Sequence, residues 1–232
     1  SDAQAKELLD TVKLIRDNAA YCRLHGVYQY SNSAYTVGPE KIKTLFEEER
    51  QILMERLMEI RNECKVDIPI VSSGSTPACM VVENFDGITE IHPGNYVFFD
   101  RMQYEFGVID ELDMIPISVM SRIIGRYPHR NELLIDCGNV GISLDRNEEL
   151  EIGYGSIQNH PNLKLYKLSQ EVGKITSVDG SGIDFDDARL QYGEILRIIP
   201  HHSCLMACQH PYYYIVNDED RVIDIYHKVG GW

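Results

Sequence analysis

The stretch Pro200-His201-His202-Ser203-Cys204 sets an imidazole and a thiol two residues apart. It follows an apolar run, Ile195-Leu196-Arg197-Ile198-Ile199, that reads as a strand. In an extended chain, residues two apart point to one side, so His202 and Cys204 are expected to face one place. Both groups are good zinc ligands, and a pair of protein donors leaves room on the ion for water, a carboxylate or a substrate. The same spacing suits a buried thiol beside a surface histidine pair, and spacing alone leaves both readings open.

A second stretch with chemical potential is Ser72-Ser73-Gly74-Ser75-Thr76-Pro77. Glycine lets a ligand approach the backbone, successive amides form an anion nest, and the hydroxyls donate. A Ser/Gly loop without a ligand has the same composition, so this reading also stays open.

The elements around these residues are readable from periodicity. Apolar residues at three- and four-residue spacing (Leu8, Leu9, Val12, Ile15, Ala19) predict a helix from Asp2 to about His25, capped by Ser1 or Asp2 and ended by Gly26. A short strand over 26–31 and a polar loop over 32–37 follow. Pro39 opens a long helix whose stripe is Ile42, Phe46, Ile52, Leu53, Leu57 and Ile60, ending near Cys64. The next strand, 68–71, runs into the Ser/Gly stretch. Helix, strand, helix, strand implies α/β alternation with parallel strands, whose carboxyl ends carry ligands. Beyond about Asp100 the runs at 116–125, 133–136, 163–168, 173–178, 195–200, 212–216 and 222–227 are short, β-branched and aromatic, with Gly, Asn, Asp and Pro between them. They predict an antiparallel β domain. The expected boundary lies near 99–104, giving an α/β part over 1–100 and a β part over 101–232.

Composition narrows the function classes. At 232 residues and a net charge of −14, the chain lacks the clustered Lys and Arg of a nucleic-acid or anionic-membrane surface. No apolar run is long enough for a transmembrane helix. Six scattered cysteines without a framework pattern and no visible signal peptide suggest reduced thiols in a cytoplasmic protein. Cys208 is expected to be a small core residue rather than a third thiol at the metal. His25, His92, His160 and His210 show no partner in sequence and read as loop or surface groups. Asp136 and Asp145 read as turn or interface residues. Tyr212-Tyr213-Tyr214 reads as a strand with aromatic residues on both faces.

These residues, taken in order, resemble a known family. The pieces are the Gly-Val-Tyr strand at 26–28, the Ser-Gly-Ser-Thr-Pro loop, His92-Pro93-Gly94-Asn95-Tyr96-Val97-Phe98-Phe99-Asp100, Ile135-Asp136-Cys137-Gly138, Ser169-Gln170-Glu171-Val172-Gly173, His202-Ser203-Cys204 and Gly230-Gly231-Trp232. The chain looks like the carboxyl-terminal portion of eukaryotic D-serine dehydratase, within the D-threonine aldolase-like branch of the alanine-racemase-fold pyridoxal-phosphate enzymes. The resemblance covers residues 26–232. It implies the last strands and helices of a (β/α)₈ barrel followed by a β domain, a homodimer, a small D-amino acid as substrate, and both pyridoxal 5′-phosphate and Zn²⁺. It implies His202 and Cys204 as zinc ligands and Ser73, Gly74, Ser75 and Thr76 as the phosphate loop. It also places Tyr28, Tyr35, Tyr96 and Asp100 in segments lining the cofactor pocket. The implied reaction converts D-serine to pyruvate and ammonia. The alternatives are a non-catalytic truncated relative and a D-threonine aldolase-like retro-aldol lyase.

The sequence departs from the family pattern at definite places. Nothing matches the Arg-Pro-His-x-Lys segment that carries the Schiff-base lysine. Tyr28-Gln29-Tyr30-Ser31 stands where a Thr-His-x-Gly pattern is usual, Val172 where a histidine is expected, and His201 where an asparagine is common, which adds a competing ligand beside His202. Only about a hundred residues precede the β part, whereas a whole barrel takes about 250, so the chain is expected to be a fragment of a longer protein or a truncated relative.

Overall fold

The structure, a computed structural model, describes residues 2–35, 37–148 and 150–230. Ser1 as a helix cap, Thr36 of the polar loop, and Gly231 and Trp232 of the terminal motif lie outside the described residues. The chain forms two compact units. One holds the residues up to Tyr96 with Phe106–Val108, the other Val97–Glu105 and the residues from Ile109 onward.

The first unit is α/β. Helix α1 spans Asp2–Asp17 and stops well short of the expected His25. Asn18 turns its side-chain amide back onto the Leu14 carbonyl at 2.8 Å, and Tyr21 beyond it is 91% exposed, so no core rewards continuing the helix. Strand β1 is Gly26–Tyr30, and a 3₁₀ turn over Asn32–Tyr35 takes the place of the expected loop. Helix α2, Pro39–Glu59, starts on Pro39 and buries Ile42, Phe46 and Leu53. It runs into a π turn over Ile60–Cys64 and so ends near Cys64 as expected, although Ile52 of the predicted stripe is exposed. Strand β2 covers Ile70–Gly74, later than the 68–71 read from sequence. Pro69 has no N–H for a ladder, while parallel pairing with β1 (Tyr28 with Ser72, Tyr30 with Gly74) carries the strand through the serines. The expected Ser/Gly loop therefore shrinks to Ser75, with helix α3 starting at once over Thr76–Val81. Strand β3, Glu90–Ile91, adds a third parallel strand beside β2.

The second unit opens with helix α4, Arg101–Glu105. Strands β4 (Val119–Tyr127), β5 (Glu132–Ile135), β6 (Gly155–Ile157), β7 (His160–Leu168), β8 (Gly173–Ser177) and β9 (Ile195–Pro200) follow. They are antiparallel, as expected, and close into a barrel in the order β4-β5-β8-β7-β6-β9. Closure removes the free edges an open sheet would carry. Along β4, Val119, Ser121 and Ile123 are buried while Met120, Arg122 and Ile124 are exposed, the period-two pattern of a strand with one dry face. Ile123, Leu133, Ile135, Leu165, Ile175 and Ile198 are fully buried in one core. Gly173 has to be glycine there, because a Cβ would lie 2.5 Å from the Cys137 carbonyl oxygen. Helix α5, Asn139–Ile142, follows β5. Helix α6, Ser203–Gln209, follows β9. Strands β10 (Tyr212–Val216) and β11 (Val222–His227) form a separate antiparallel hairpin.

Candidate metal centre and anion loop

Strand β9 stops at Pro200, so the extended-strand argument reaches His202 but not Cys204. His202 is extended (φ −129°, ψ 119°) and stands as the cap of α6, which places Cys204 in that helix's first turn. The turn still brings the two side chains together, and the imidazole hydrogen-bonds to the Cys204 side chain.

What sequence reading missed is the far side of the imidazole. Nδ1 of His202 hydrogen-bonds to Oδ2 of Asp145, a residue from the loop after α5 that local pattern marked as a turn or interface residue. Holding Nδ1 leaves Nε2 as the nitrogen that can meet a metal, the carboxylate–histidine arrangement common around zinc. Burial pushes the His202 pKa down, but the Cys204 bond, the charges of Asp100 and Cys204 and the Asp145 bond outweigh it and lift it to about 9. Asp100 is fully buried and accepts the Ser203 amide at 2.9 Å, which places it beside this pair.

His201 does not compete as a ligand. It is 1% exposed, and its Nε2 accepts the Asn147 amide at 2.8 Å. Burial drives its pKa down to about 4, so the ring stays neutral. Cys208 is exposed, not in the core as expected, because it falls on the open side of α6. His160 is buried in β7 against Asp187, not the loop or surface group expected from sequence, whereas His210 lies in the loop after α6 and donates to the Gly141 carbonyl at 2.8 Å. Among the described residues no cluster of three or more His, Cys, Asp or Glu is arranged to hold a metal. The donors here are therefore one nitrogen and one sulfur. This set fits zinc, whose other positions would fall to water or a bound molecule.

The anion loop lies in the first unit. Ser72, Ser73, Ser75 and Thr76 are all buried. Ser75 caps α3, its Oγ accepting the Ala78 amide, and Thr76 Oγ1 accepts the Asn95 amide at 2.9 Å. Each hydroxyl keeps its own proton to donate. Ser73 donates to Gln29 Oε1 at 3.2 Å, while Ser72 Oγ has no partner among the described residues. Gly74 has φ +136°, and a Cβ there would sit 2.8 Å from Cys79 Sγ. A buried orphan hydroxyl, donating neighbours and an open backbone fit a phosphate group.

At the same strand ends, Tyr28 stacks on His92 with centroids 4.3 Å apart. Tyr30 lies 6.2 Å from both His92 and Tyr35. Nε2–H of His92 donates to the Gln29 carbonyl at 3.1 Å, so His92 belongs to an aromatic group rather than standing alone. Tyr96 is 53% exposed.

Residues 117–216 match a family model described as "Putative serine dehydratase domain". D-serine dehydratase of Dictyostelium discoideum is 35% identical over 247 aligned residues, which take in 100% of this chain and 61% of that enzyme. The chain is a homologue of the eukaryotic D-serine dehydratases. This homologue spans under two thirds of the length of the curated relatives it matches. It is also 30% identical to D-threo-3-hydroxyaspartate dehydratase of Delftia sp. HT23, over 90% of this chain and 57% of the relative. That enzyme's solved structure superposes with a TM-score of 0.80 over 91% of this chain and 57% of its own. It has been solved as a histidine-to-alanine variant and, two positions on, as a cysteine-to-alanine variant in the metal-free form. An alanine-racemase-like protein of Idiomarina loihiensis, 26% identical, superposes with a TM-score of 0.74 over 90% of this chain and 56% of its own. The dehydratase homologue thus pairs an α/β unit with a β unit as its alanine-racemase-like neighbours do.

Proposed function

We propose that this chain is part of a lyase, dependent on pyridoxal phosphate and zinc, that removes water from a 3-hydroxy D-amino acid, with D-serine going to pyruvate and ammonia. The observation that carries the reading is the His202–Cys204 pair with Asp145 behind the imidazole, on a chain homologous to dehydratases. The Delftia relative, with its histidine and cysteine variants two positions apart and its metal-free cysteine form, supports His202 and Cys204 as the ligands. When bound, pyridoxal phosphate supplies an electron sink for the α-carbon and zinc a Lewis acid for the departing hydroxide. His202 Nε2 and Cys204 Sγ would hold the metal, and Asp145 would fix the ring's tautomer. Ser73, Gly74, Ser75 and Thr76, with the Ser72 hydroxyl, would hold the phosphate. Tyr28 and Tyr35 would flank the ring, with Tyr96 near it. On this reading residues 1–100 are the last part of a (β/α)₈ barrel, 101–232 are the β domain with the zinc ligands, and the working form is a homodimer. Six cysteines outside any disulfide support a reducing compartment such as the cytoplasm.

Similarity to the Delftia enzyme favours a second substrate, D-threo-3-hydroxyaspartate. Two measurements test the proposal. Zinc content of the dialysed protein should fall to background in Cys204→Ala with the fold retained by circular dichroism, and unchanged content would remove the metal assignment. Protein purified from its natural source, supplied with zinc and pyridoxal phosphate, should release pyruvate from D-serine or oxaloacetate from the hydroxyaspartate. Release of neither would sink the lyase reading, and the ratio of the two ranks the substrates.

A further inference from the structure

The His202–Cys204 pair is anchored by a segment distant in sequence. Asp100 is fully buried, and each of its carboxylate oxygens accepts a backbone amide. Oδ1 takes that of Gln103 at 3.0 Å, and Oδ2 takes that of Ser203 at 2.9 Å. The first bond caps α4. The second grips the one residue between His202 and Cys204. The Met102 amide, donating to the His201 carbonyl at 3.1 Å, ties the same two segments together again. Phe99, just before Asp100, has φ +48°. A bulky side chain holds that left-handed conformation only at a cost, so the fold accepts strain at the residue that delivers this carboxylate. A carboxylate taken wholly out of water is costly unless a cation and hydrogen bonds compensate it, and the imidazole of His202 lies within reach of its charge.

We propose that Asp100 is a positioning residue for the His202–Cys204 pair, fixing the Ser203 amide and with it the separation of imidazole and thiol, while lending buried negative charge to the cation they hold. The proposal rests on the metal reading above. Its division of labour is definite: Asp145 holds the ring, and Asp100 holds the backbone between the two ligands. Asp145 touches His202 directly, whereas Asp100 reaches Cys204 only through the chain.

The test is zinc affinity of the purified protein by competition with a chromophoric chelator, together with the Co²⁺–thiolate absorption of the cobalt-loaded form. Asp100→Asn keeps the shape and removes the charge. Ser203→Pro deletes the amide that Asp100 grips. Proline is tolerated at a first helical position, and His202 is already extended, as a residue before proline must be. Each variant is expected to bind zinc about 10–100-fold more weakly, the range for groups behind metal ligands, with a shifted cobalt spectrum at saturation. The double variant is expected to be weaker than either single one by less than the product of the two effects, since the two changes share the Asp100–Ser203 bond while only Asp100→Asn removes the charge. Parent-like zinc affinity and cobalt spectrum in a folded Asp100→Asn would overturn the proposal. So would full additivity of the two changes. If Asp100→Asn is poorly folded, parent-like zinc affinity in a folded Ser203→Pro overturns the proposal instead. His202→Ala and Cys204→Ala serve as controls. If they bind zinc like the parent, the metal reading itself fails and takes the proposal with it. If they lose zinc while Asp100→Asn keeps it, only the positioning role falls.

Discussion

His202 sits between two opposing influences, and its neighbours decide the outcome. Burial disfavours its charged form, yet Cys204, Asp100 and Asp145 together favour it. Of these, Asp145 is the partner whose loss should be read most directly, because it orients the ring. Asp145→Asn keeps an acceptor but loses the charge, and zinc affinity should drop by about 10–100-fold. Chelator competition measures this, and an affinity within twofold of the parent would show that the ring is oriented by its packing alone.

Among the elements, the β5 strand carries a carboxylate that ties the barrel together. Glu132 is 5% exposed. It accepts Tyr166 Oη from β7 at 2.7 Å and Lys174 Nζ from β8 at 3.2 Å, and pairs with Arg130 at 3.1 Å. Burial pushes its pKa up, but the Tyr166 and Lys174 bonds and the two cations outweigh burial and hold the pKa below the usual carboxylate value. A depressed folded pKa means that the charged group adds stability above its unfolded pKa and loses it as pH falls through the folded one. Glu132→Gln should therefore cost about 1–3 kcal/mol at neutral pH, and the gap to the parent should close as pH drops below about 4.3, the unperturbed glutamate value. Urea midpoints measured across that range check the sign. A gap that stays constant with pH would show that the ionised form contributes nothing.

Across the whole molecule, a net charge of −14 makes self-repulsion a general term. Raising NaCl from about 10 mM to about 150 mM shortens the screening length from about 30 Å to about 8 Å. The melting temperature should rise with added salt, as scanning fluorimetry can read. A falling melting temperature would mean that specific ion pairs such as Arg101–Glu105 and Arg50–Glu47 outweigh the general repulsion. The same charge predicts no retention on heparin at physiological salt. Among the described residues no helix is long and apolar enough to cross a membrane.

Sequence by itself determined what depends on neighbours along the chain. The limits of β9, β10 and β11 were readable to the residue, because alternation and breakers are local. The long α2, ending near Cys64, followed from Pro39 and an apolar stripe, although its π-helical last turn and the exposure of Ile52 were decided by the fold. The pairing of His202 with Cys204 was legible from spacing, although the geometry that achieves it is a helix's first turn and not a strand. Tertiary structure alone decided the rest. Nothing local marks Asp145, 57 residues from His202, as its partner, or Asp100, 103 residues from Ser203, as the acceptor of its amide. Nor does alternation in six short strands say that they close into a barrel. Periodicity tells each strand which face is dry, but register and closure are set by which strands meet, and that is settled by packing among residues far apart in the chain. The same holds for Cys208 and His160, whose exposure and burial reversed the expectation because side-chain type states a preference that the surrounding packing can override.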